Sequence, residues 1–181
     1  MPSRPVVILD ACVLINIIAS GRAQEILTGS GYRFGIGTVA SKESVYLRAI
    51  DPNGPPEALE LDPLVKSKCL TVYGLSGDAE ETLYVDYAVQ LDDGEAMTLA
   101  LPSSRGYAVA TDDRKARRIF LADTGDATRL LSTPQILRKW SESARLGANE
   151  LRQLLLEISH RGRFSPRSDD PEFTWWKKAV I

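Results

Sequence analysis

The sequence predicts a three-layer α/β/α fold, in which helices cover both faces of a central, mainly parallel sheet. Two observations predict this class. Residues 6–9 form an uninterrupted apolar run, Val-Val-Ile-Leu, which is typical of a strand buried in a parallel sheet. Further short apolar runs alternate with segments of helical periodicity, an order that favours helices on both faces of a sheet. The chain has 181 residues, enough for one domain with a substantial core.

The first half of the chain is expected to alternate between strands and helices. After the first strand, Val13, Leu14, Ile17 and Ile18 recur at helical spacing, and this helix should end near Gly21. The elements expected next are a helix at 22–27, a strand at 32–36, a helix capped by Thr38, a proline-rich break at 51–56 and a strand at 70–73.

The second half continues the alternation and ends in a polar segment. The expected elements are a helix at 79–89, a helix from 94 that stops at Pro102, a strand at 107–110, a helix at 114–121, a strand at 128–131 and a helix from Thr133. We expect residues 1–160 to form one domain and residues 161–181 to form a basic, aromatic tail. The tail should contact a protein or pack on its own domain, and a grip on single-stranded RNA is the alternative.

Composition and charge disfavour several classes of protein. Charged residues make up 25% of the chain and hydrophobic residues 44%, as in globular domains. No stretch approaches the roughly 18 apolar residues of a membrane span, so we expect a cytoplasmic protein without a membrane partner. The net charge of −2 means that any surface for nucleic acid must be local. A single histidine, His160, and two cysteines without paired spacing disfavour a Ser-His-Asp triad and a zinc site.

Acidic residues lie where predicted strands end or predicted helices begin, at four places. These are Asp10, Glu43, the run Asp92-Asp93-Gly94-Glu95, and the pair Asp112-Asp113. Because groups at the carboxyl ends of parallel strands converge on one crevice, we expect the carboxylates to share a site. Such carboxylates repel one another unless a hard cation, Mg²⁺ or Mn²⁺, neutralises them. The pattern therefore predicts a metal-dependent phosphodiester hydrolase, in which the metal activates a water and stabilises the leaving oxygen.

Each acidic site also has a purely structural interpretation. Asp10 could be a helix N-cap, and the pair at 112–113 could cap the following helix. The pair at 92–93 could interact with the positive end of a helix dipole, and Glu43 could be a solvated helix residue. The equivalent placement of all four sites favours the shared site.

Four cations follow the last acidic pair directly, at Arg114, Lys115, Arg117 and Arg118. We expect Arg114, Lys115 and Arg118 to hold RNA phosphates, with Arg114 and Lys115 closest to the acidic crevice. The alternative is a solvated helix face whose charges pair within the helix.

A family resemblance rests on four segments in this order: Leu-Asp-Ala-Cys-Val-Leu-Ile-Asn at 9–16, Glu43 on a helix, Leu-Asp-Asp-Gly-Glu-Ala-Met-Thr-Leu-Ala at 91–100, and Ala-Val-Ala-Thr-Asp-Asp-Arg-Lys-Ala-Arg at 108–117. With these segments the chain resembles a PIN domain, the ribonuclease fold of VapC-type toxins, over about residues 5–140. The last two segments resemble a bacterial and archaeal PIN-like subgroup in particular.

The resemblance implies a metal-binding quartet: Asp10, Glu43, Glu95 or in its place Asp93, and one of Asp112 or Asp113. Asp10 would anchor the metal, and Glu43 would act through a water or orient the attacking water. The threonine or serine that usually follows the first aspartate is Ala11 here, so that a supporting hydroxyl is missing.

Together these observations predict an endoribonuclease that depends on Mg²⁺ or Mn²⁺, with the toxin of a toxin–antitoxin pair as the implied role. The expected partners are single-stranded or structured RNA, an antitoxin protein and a second copy of the chain. Two alternatives stay open. One is a PIN-like binding or regulatory protein with weak or no nuclease activity, which Ala11 and the acidic composition favour. The other is a metal-dependent DNase.

Overall fold

A computed structural model describes residues 4–42, 46–47 and 54–181 of the chain. Its central sheet contains five strands, β1 (Val6–Leu9), β2 (Arg33–Gly37), β5 (Leu70–Tyr73), β6 (Ala108–Ala110) and β7 (Leu130–Leu131). The strand order is β5-β2-β1-β6-β7 and every pairing in this sheet is parallel. Two short strands, β3 (Tyr46–Leu47) and β4 (Glu57–Ala58), pair antiparallel outside it. This confirms the predicted α/β class and the parallel sheet.

Helices alternate with these strands along the chain. In order they are α1 (Ala11–Ala19), α2 (Ala23–Gly29), α3 (Asp62–Lys66), α4 (Asp78–Ala88), α5 (Asp93–Arg105), α6 (Arg114–Thr124), α7 (Thr133–Ala144), α8 (Ala148–Arg161) and α9 (Phe173–Val180). Among the described helices, none has the length and apolar character needed to cross a membrane.

Alternate side chains of β1 pack on two different helical layers, as its unbroken apolar run predicts. Val7 and Leu9 belong to a core shared with α1, α2, α7, α8 and α9. Val6 and Ile8 pack instead with Met97 and Leu101 of α5. The sheet is therefore covered on both faces, which is the three-layer arrangement, and the strand at its centre is buried.

Helix α5, which begins within the acidic run at 92–95, is longer than the sequence predicts. A stop at Pro102 is expected, because proline lacks an N–H and disrupts a helix interior. Instead α5 continues through Pro102 to Arg105 and ends at Gly106, whose φ of 67° is the left-handed C-cap conformation. Tertiary contacts explain the extension, because the Arg105 guanidinium pairs with the Glu80 carboxylate of α4 at 2.6 Å.

Two further predictions concern the segment after Thr38 and the C-terminal tail. After Thr38 the described chain forms only a 3-10 turn, Ala40–Lys42, and the predicted helix with Glu43 lies outside the described residues. At the other end, the polar tail contains α9, whose Trp176 is only 2% exposed and packs edge-to-face on Phe164. The tail therefore packs on its own domain, which was one of the two preferred interpretations, and the buried Trp176 ring does not offer a stacking surface for RNA.

Candidate active site

The chain order reverses across the central pair of strands, β1 and β6. The strands β2 and β5 lie on one side of this pair and β7 on the other. Leu9 and Ala110 are paired at the carboxyl ends of the two strands. Ligands of open α/β sheets bind at such a reversal, outside the carboxyl ends of the strands.

A cavity of about 410 Å³ lies at this reversal, and five carboxylates line it. They come from the ends of β1 and β6 and from the start of α5, namely Asp10, Asp92, Glu95, Asp112 and Asp113. The structure thus brings together four of the sequence-predicted acids, with Asp92 as an additional one. Glu43 lies outside the described residues.

Asp10 is the least exposed of the five carboxylates that line the cavity, with 7% of its surface exposed. Its Oδ2 atom accepts hydrogen bonds from Thr111 Oγ1 at 2.6 Å and from Cys12 Sγ at 3.2 Å. Burial raises the pKa of Asp10 above its ordinary value, although these two hydrogen bonds oppose the rise. Asp10 occupies the N-cap position of α1, where the backbone N–H groups of Cys12 and Ala11 also oppose the rise in its pKa.

The Thr111 hydroxyl forms hydrogen bonds with both Asp10 and Asp113, and the sequence did not predict Thr111 as a site residue. Its hydroxyl donates to Asp10 and accepts from the backbone N–H of Asp113 at 3.1 Å. A hydroxyl at the end of β6 therefore supports Asp10 in this chain, where Ala11 cannot. The only sequence signal was its position, directly before the acidic pair.

Cys12 lies in the same cavity and is half-buried. Burial raises the pKa of its thiol, and the charges of Asp10 and Asp112 raise it further. The thiol is therefore held protonated as a hydrogen-bond donor to Asp10, and it is not activated as a nucleophile.

Glu95 extends from the first turn of α5 into the cavity, whereas Asp93 does not line it. The pKa of Glu95 is raised by burial and then by the charges of Asp92, Asp113 and Asp10. Asp93 is exposed. Burial, followed by a hydrogen bond with Asp93, raises the pKa of the Tyr84 phenol. Of the two acids that the sequence left open, Glu95 is the one near the other carboxylates.

Asp112 is held by the start of α7. Its Oδ1 atom accepts from the Thr133 backbone N–H at 2.9 Å, and its Oδ2 atom accepts from Thr133 Oγ1 at 2.6 Å and from Asn16 Nδ2 at 3.2 Å. Burial raises the pKa of Asp112, and the Thr133 bonds oppose this. Both oxygens of Asp112 are therefore engaged in orienting this side chain.

Asp113 is placed differently from its neighbour. Its Oδ1 atom caps α6 by accepting from the Ala116 N–H at 2.8 Å. Its Oδ2 atom has no donor among the described residues, and its charge contributes to the raised pKa of Glu95. Asp113 combines the predicted capping role with an oxygen that faces the cavity.

The donor set of the cavity consists of carboxylate oxygens, which are the ligands that Mg²⁺ and Mn²⁺ prefer. Within residues 4–42, 46–47 and 54–181, no three His, Cys, Asp or Glu side chains are close enough together to form a finished metal site. The residues fit a hard cation in chemistry and in charge. The side chains of Asp10, Glu95 and Asp113 would have to move closer to bind one.

The four predicted cations separate into different environments. Arg117 Nη1 donates to the carbonyls of Thr111 and Leu131, both at 2.9 Å, and so ties β6 to β7. Lys115 donates to the carbonyl of Gln90 and lines neither the acidic cavity nor the cavity beside it. Arg114 and Arg118 are exposed, and both line that neighbouring cavity together with the half-buried Arg117.

In comparisons with known proteins, the chain matches no family model, no curated protein and no solved structure. The resemblance to PIN domains therefore rests on the residues quoted for it and stays a prediction. A fold of this class hosts many unrelated functions, so function has to be argued from the site.

Proposed function

We propose that this chain is a metal-dependent phosphodiesterase that cleaves RNA internally. The supporting observation is the convergence of five carboxylates on one cavity at the reversal point of a parallel sheet. The raised pKa values of Asp10 and Glu95 mark an energetic cost that capping alone would not require. A bound divalent cation offsets this cost.

Asp10, Glu95 and Asp113 are the residues that would hold Mg²⁺ or Mn²⁺. Asp10 is fixed by Thr111, and Asp113 keeps one oxygen available. Glu43, which the resemblance adds to this set, lies outside the described residues. When bound, the cation would lower the pKa of a water and stabilise charge on the leaving oxygen.

The chain's own residues prepare the site around that chemistry. Thr111 orients Asp10, while Thr133 and Asn16 orient Asp112. Because the pKa values of Asp10 and Glu95 are raised, these carboxyls retain protons to a higher pH than ordinary acids. Cation uptake should therefore release protons and weaken as the pH falls.

Nucleic acid is the substrate class that the site favours, because cations flank the acidic cavity in a chain whose net charge is negative. The choice of RNA over DNA rests on the resemblance to PIN domains. Arg114 and Arg118 line a cavity that shares Asp112 with the acidic one. A phosphate backbone that crosses Asp112 would contact both regions. Competition between single-stranded RNA and single-stranded DNA of the same sequence tests this preference, and stronger inhibition by DNA would favour a DNase.

The decisive experiment measures Mn²⁺ binding by calorimetry and RNA cleavage on the same preparations of wild type and Asp10→Asn. Wild type should bind Mn²⁺ and cut, and Asp10→Asn should lose both. Asp86→Asn is the matched control, since Asp86 is exposed on α4 and lines neither cavity. An Asp10→Asn protein that cleaves like wild type would contradict the proposal.

A PIN-like binding or regulatory protein is the second candidate. It is favoured by Ala11 and by the engagement of both Asp112 oxygens with Thr133 and Asn16. Absence of Mn²⁺ uptake at millimolar concentration, together with absence of cleavage, would make this candidate the better one.

The toxin role, an antitoxin partner and a homodimer are proposals that rest on the resemblance alone. Expression of the wild-type chain in a bacterial host should then arrest growth, and expression of Asp10→Asn should not. Equal growth with both chains, together with RNA cleavage in vitro, would support the nuclease function and contradict the toxin role.

A further inference from the structure

A second cavity, of about 510 Å³, lies beside the acidic one and shares Asp112 with it. One wall is α6, and the other is the segment between α8 and α9, which includes Phe164 and Asp170. Its volume is in the range of small-ligand sites, roughly 300–1,000 Å³. The function proposed above uses Arg114, Arg118 and Asp112 of this cavity as contacts for a phosphate backbone, and it gives no role to Phe164 or to the apolar floor.

The floor of this cavity is apolar and partly open. Leu121 is 42% exposed, which is unusual for a large apolar side chain, while Leu130 beside it is buried. The Phe164 ring is half-buried and packs edge-to-face on Trp176, with ring centroids 5.5 Å apart. The ring is thus held in one orientation with part of its surface accessible, as in platforms on which nucleobases stack.

Arginines form the rim and differ in how firmly they are engaged. Arg118 has no hydrogen bond or ion pair with any described residue. Arg114 pairs with Asp169 at 3.2 Å, and the two side chains are 70% and 57% exposed, so this ion pair is weak. A phosphate could bind Arg118 directly and could displace Asp169 from Arg114.

Carboxylates in the same lining narrow the choice of ligand. Asp112, Asp169 and Asp170 all line the cavity and would repel an acidic peptide. They would tolerate a nucleobase, because its exocyclic amino group donates to carboxylates. An aromatic platform, an arginine rim and carboxylate acceptors in one cavity together favour a nucleotide.

We propose that this cavity binds one nucleotide unit of single-stranded RNA, with the base against Phe164 and a phosphate on Arg118 and Arg114. The location of that nucleotide beside the scissile bond rests on the proposed nuclease function, through the shared Asp112. Binding of the nucleotide itself does not depend on cleavage.

The test is a titration of wild type with AMP, without divalent cations, followed by the intrinsic fluorescence of the tryptophans. Trp176 touches Phe164, so occupancy of the platform should change its emission. AMP should bind, and adenosine or inorganic phosphate alone should bind at least about tenfold more weakly. If phosphate alone binds as tightly as AMP, or AMP does not bind at millimolar concentration, the proposal is wrong.

Variants assign the binding to this cavity. Arg118→Gln and Phe164→Leu should each weaken AMP about tenfold, through loss of a charged hydrogen bond and of stacking. Arg33→Gln makes the same change of charge at the start of β2, an inner strand that lies between β5 and β1, and should change affinity less than about twofold. Equal losses in Arg118→Gln and Arg33→Gln, or displacement of AMP by polyglutamate at equal charge, would overturn the assignment.

The test of the nucleotide site can be separated from the test of the proposed nuclease function. Asp10→Asn should abolish cleavage and leave AMP affinity unchanged. AMP binding that depends on Arg118 in a chain that cuts no RNA would support the nucleotide site and reject the nuclease. If the wild-type chain cleaves RNA but Arg118→Gln and Phe164→Leu bind AMP as tightly as wild type, the nucleotide site is wrong and the nuclease function is retained.

Discussion

The two cavities share Asp112 but differ in how their charged side chains are buried and paired. In the acidic cavity Asp10 is buried and Glu95, Asp112 and Asp113 are half-buried, and Thr111 and Thr133 hold Asp10 and Asp112 in place. In the arginine-lined cavity the rim residues Arg114, Arg118 and Asp169 are exposed, and the Arg114–Asp169 pair is weak, whereas the Phe164 ring is firmly packed on Trp176. Buried charges of one sign raise the free energy of the folded chain when no cation is bound. Exposed charges change that free energy little, and their side chains can reorient to bind a ligand. The following changes test this contrast, from the largest expected effect to the smallest.

Removal of the Trp176 side chain should disrupt the arginine-lined cavity while leaving the acidic one. Trp176 is nearly fully buried under Phe164, so Trp176→Ala should lower the free energy of unfolding by about 3–5 kcal/mol. Urea denaturation measures this, and Trp175→Ala, in the same helix but half-buried, should cost less. Mn²⁺ binding should persist in the folded fraction and AMP binding should fall. Equal losses in the two variants would show that α9 does not support the cavity as described.

The hydroxyl of Thr111 should matter to both stability and metal binding. Thr111→Val keeps the shape of the side chain but removes the shorter of the two side-chain hydrogen bonds to the Asp10 carboxylate and leaves the Asp113 N–H without its hydroxyl partner, at a cost of about 1–3 kcal/mol. Thermal unfolding checks the stability, and calorimetry should show weaker Mn²⁺ binding. The exposed Thr174→Val provides the control and should change neither quantity. A Thr111→Val protein as stable as wild type would mean that the buried hydroxyl does not support Asp10.

The enclosed carboxylates should make the cation-free protein less stable as the pH rises. The pKa values of Asp10 and Glu95 are raised above 3.8 and 4.5, so the folded chain binds more protons than the unfolded chain just above those values. Stability is then greatest below the ordinary values and is lost as the pH rises through the raised ones. We expect Tm to fall as the pH rises above the ordinary range of these carboxyls, and added Mn²⁺ to restore it.

Asp10→Asn should flatten this pH dependence, because one enclosed titratable group is removed. At neutral pH its Tm should equal that of wild type or exceed it by up to about 4 °C. Asp86→Asn should keep the wild-type slope. A slope in Asp10→Asn as steep as that of wild type would assign the dependence to other groups.

Loss of the Arg114–Asp169 ion pair should have the smallest effect on stability. Both side chains are more than half exposed, so Arg114→Gln should change the free energy of unfolding by less than about 1 kcal/mol. The same variant should weaken AMP binding, which separates a ligand contact from a structural one. Salt should weaken AMP binding to wild type and leave Mn²⁺-free stability nearly unchanged.

Much of the fold was predictable because it follows from local patterns. The buried strand at 6–9, the strand at 70–73 and the alternation of strands with helices were predicted and are confirmed. The misses share one cause, which is packing between distant segments. α5 passes through Pro102 because Arg105 pairs with Glu80, and α9 forms where composition indicated only a tail, because Trp176 finds a buried site beside Phe164.

The candidate site likewise combines features that local sequence predicts with features that depend on tertiary packing. The sequence by itself determined that acids stand at strand ends and helix starts, because strand periodicity and capping chemistry are local. Only the tertiary structure decided that Glu95, and not Asp93, enters the acidic cavity, since the rotation of α5 against the sheet sets which residue faces inward. It also decided that Thr111 supports Asp10 and that Asp112 lies between two cavities. Hydrogen bonds between residues about a hundred positions apart depend on how the layers pack, and that packing is a property of the whole chain.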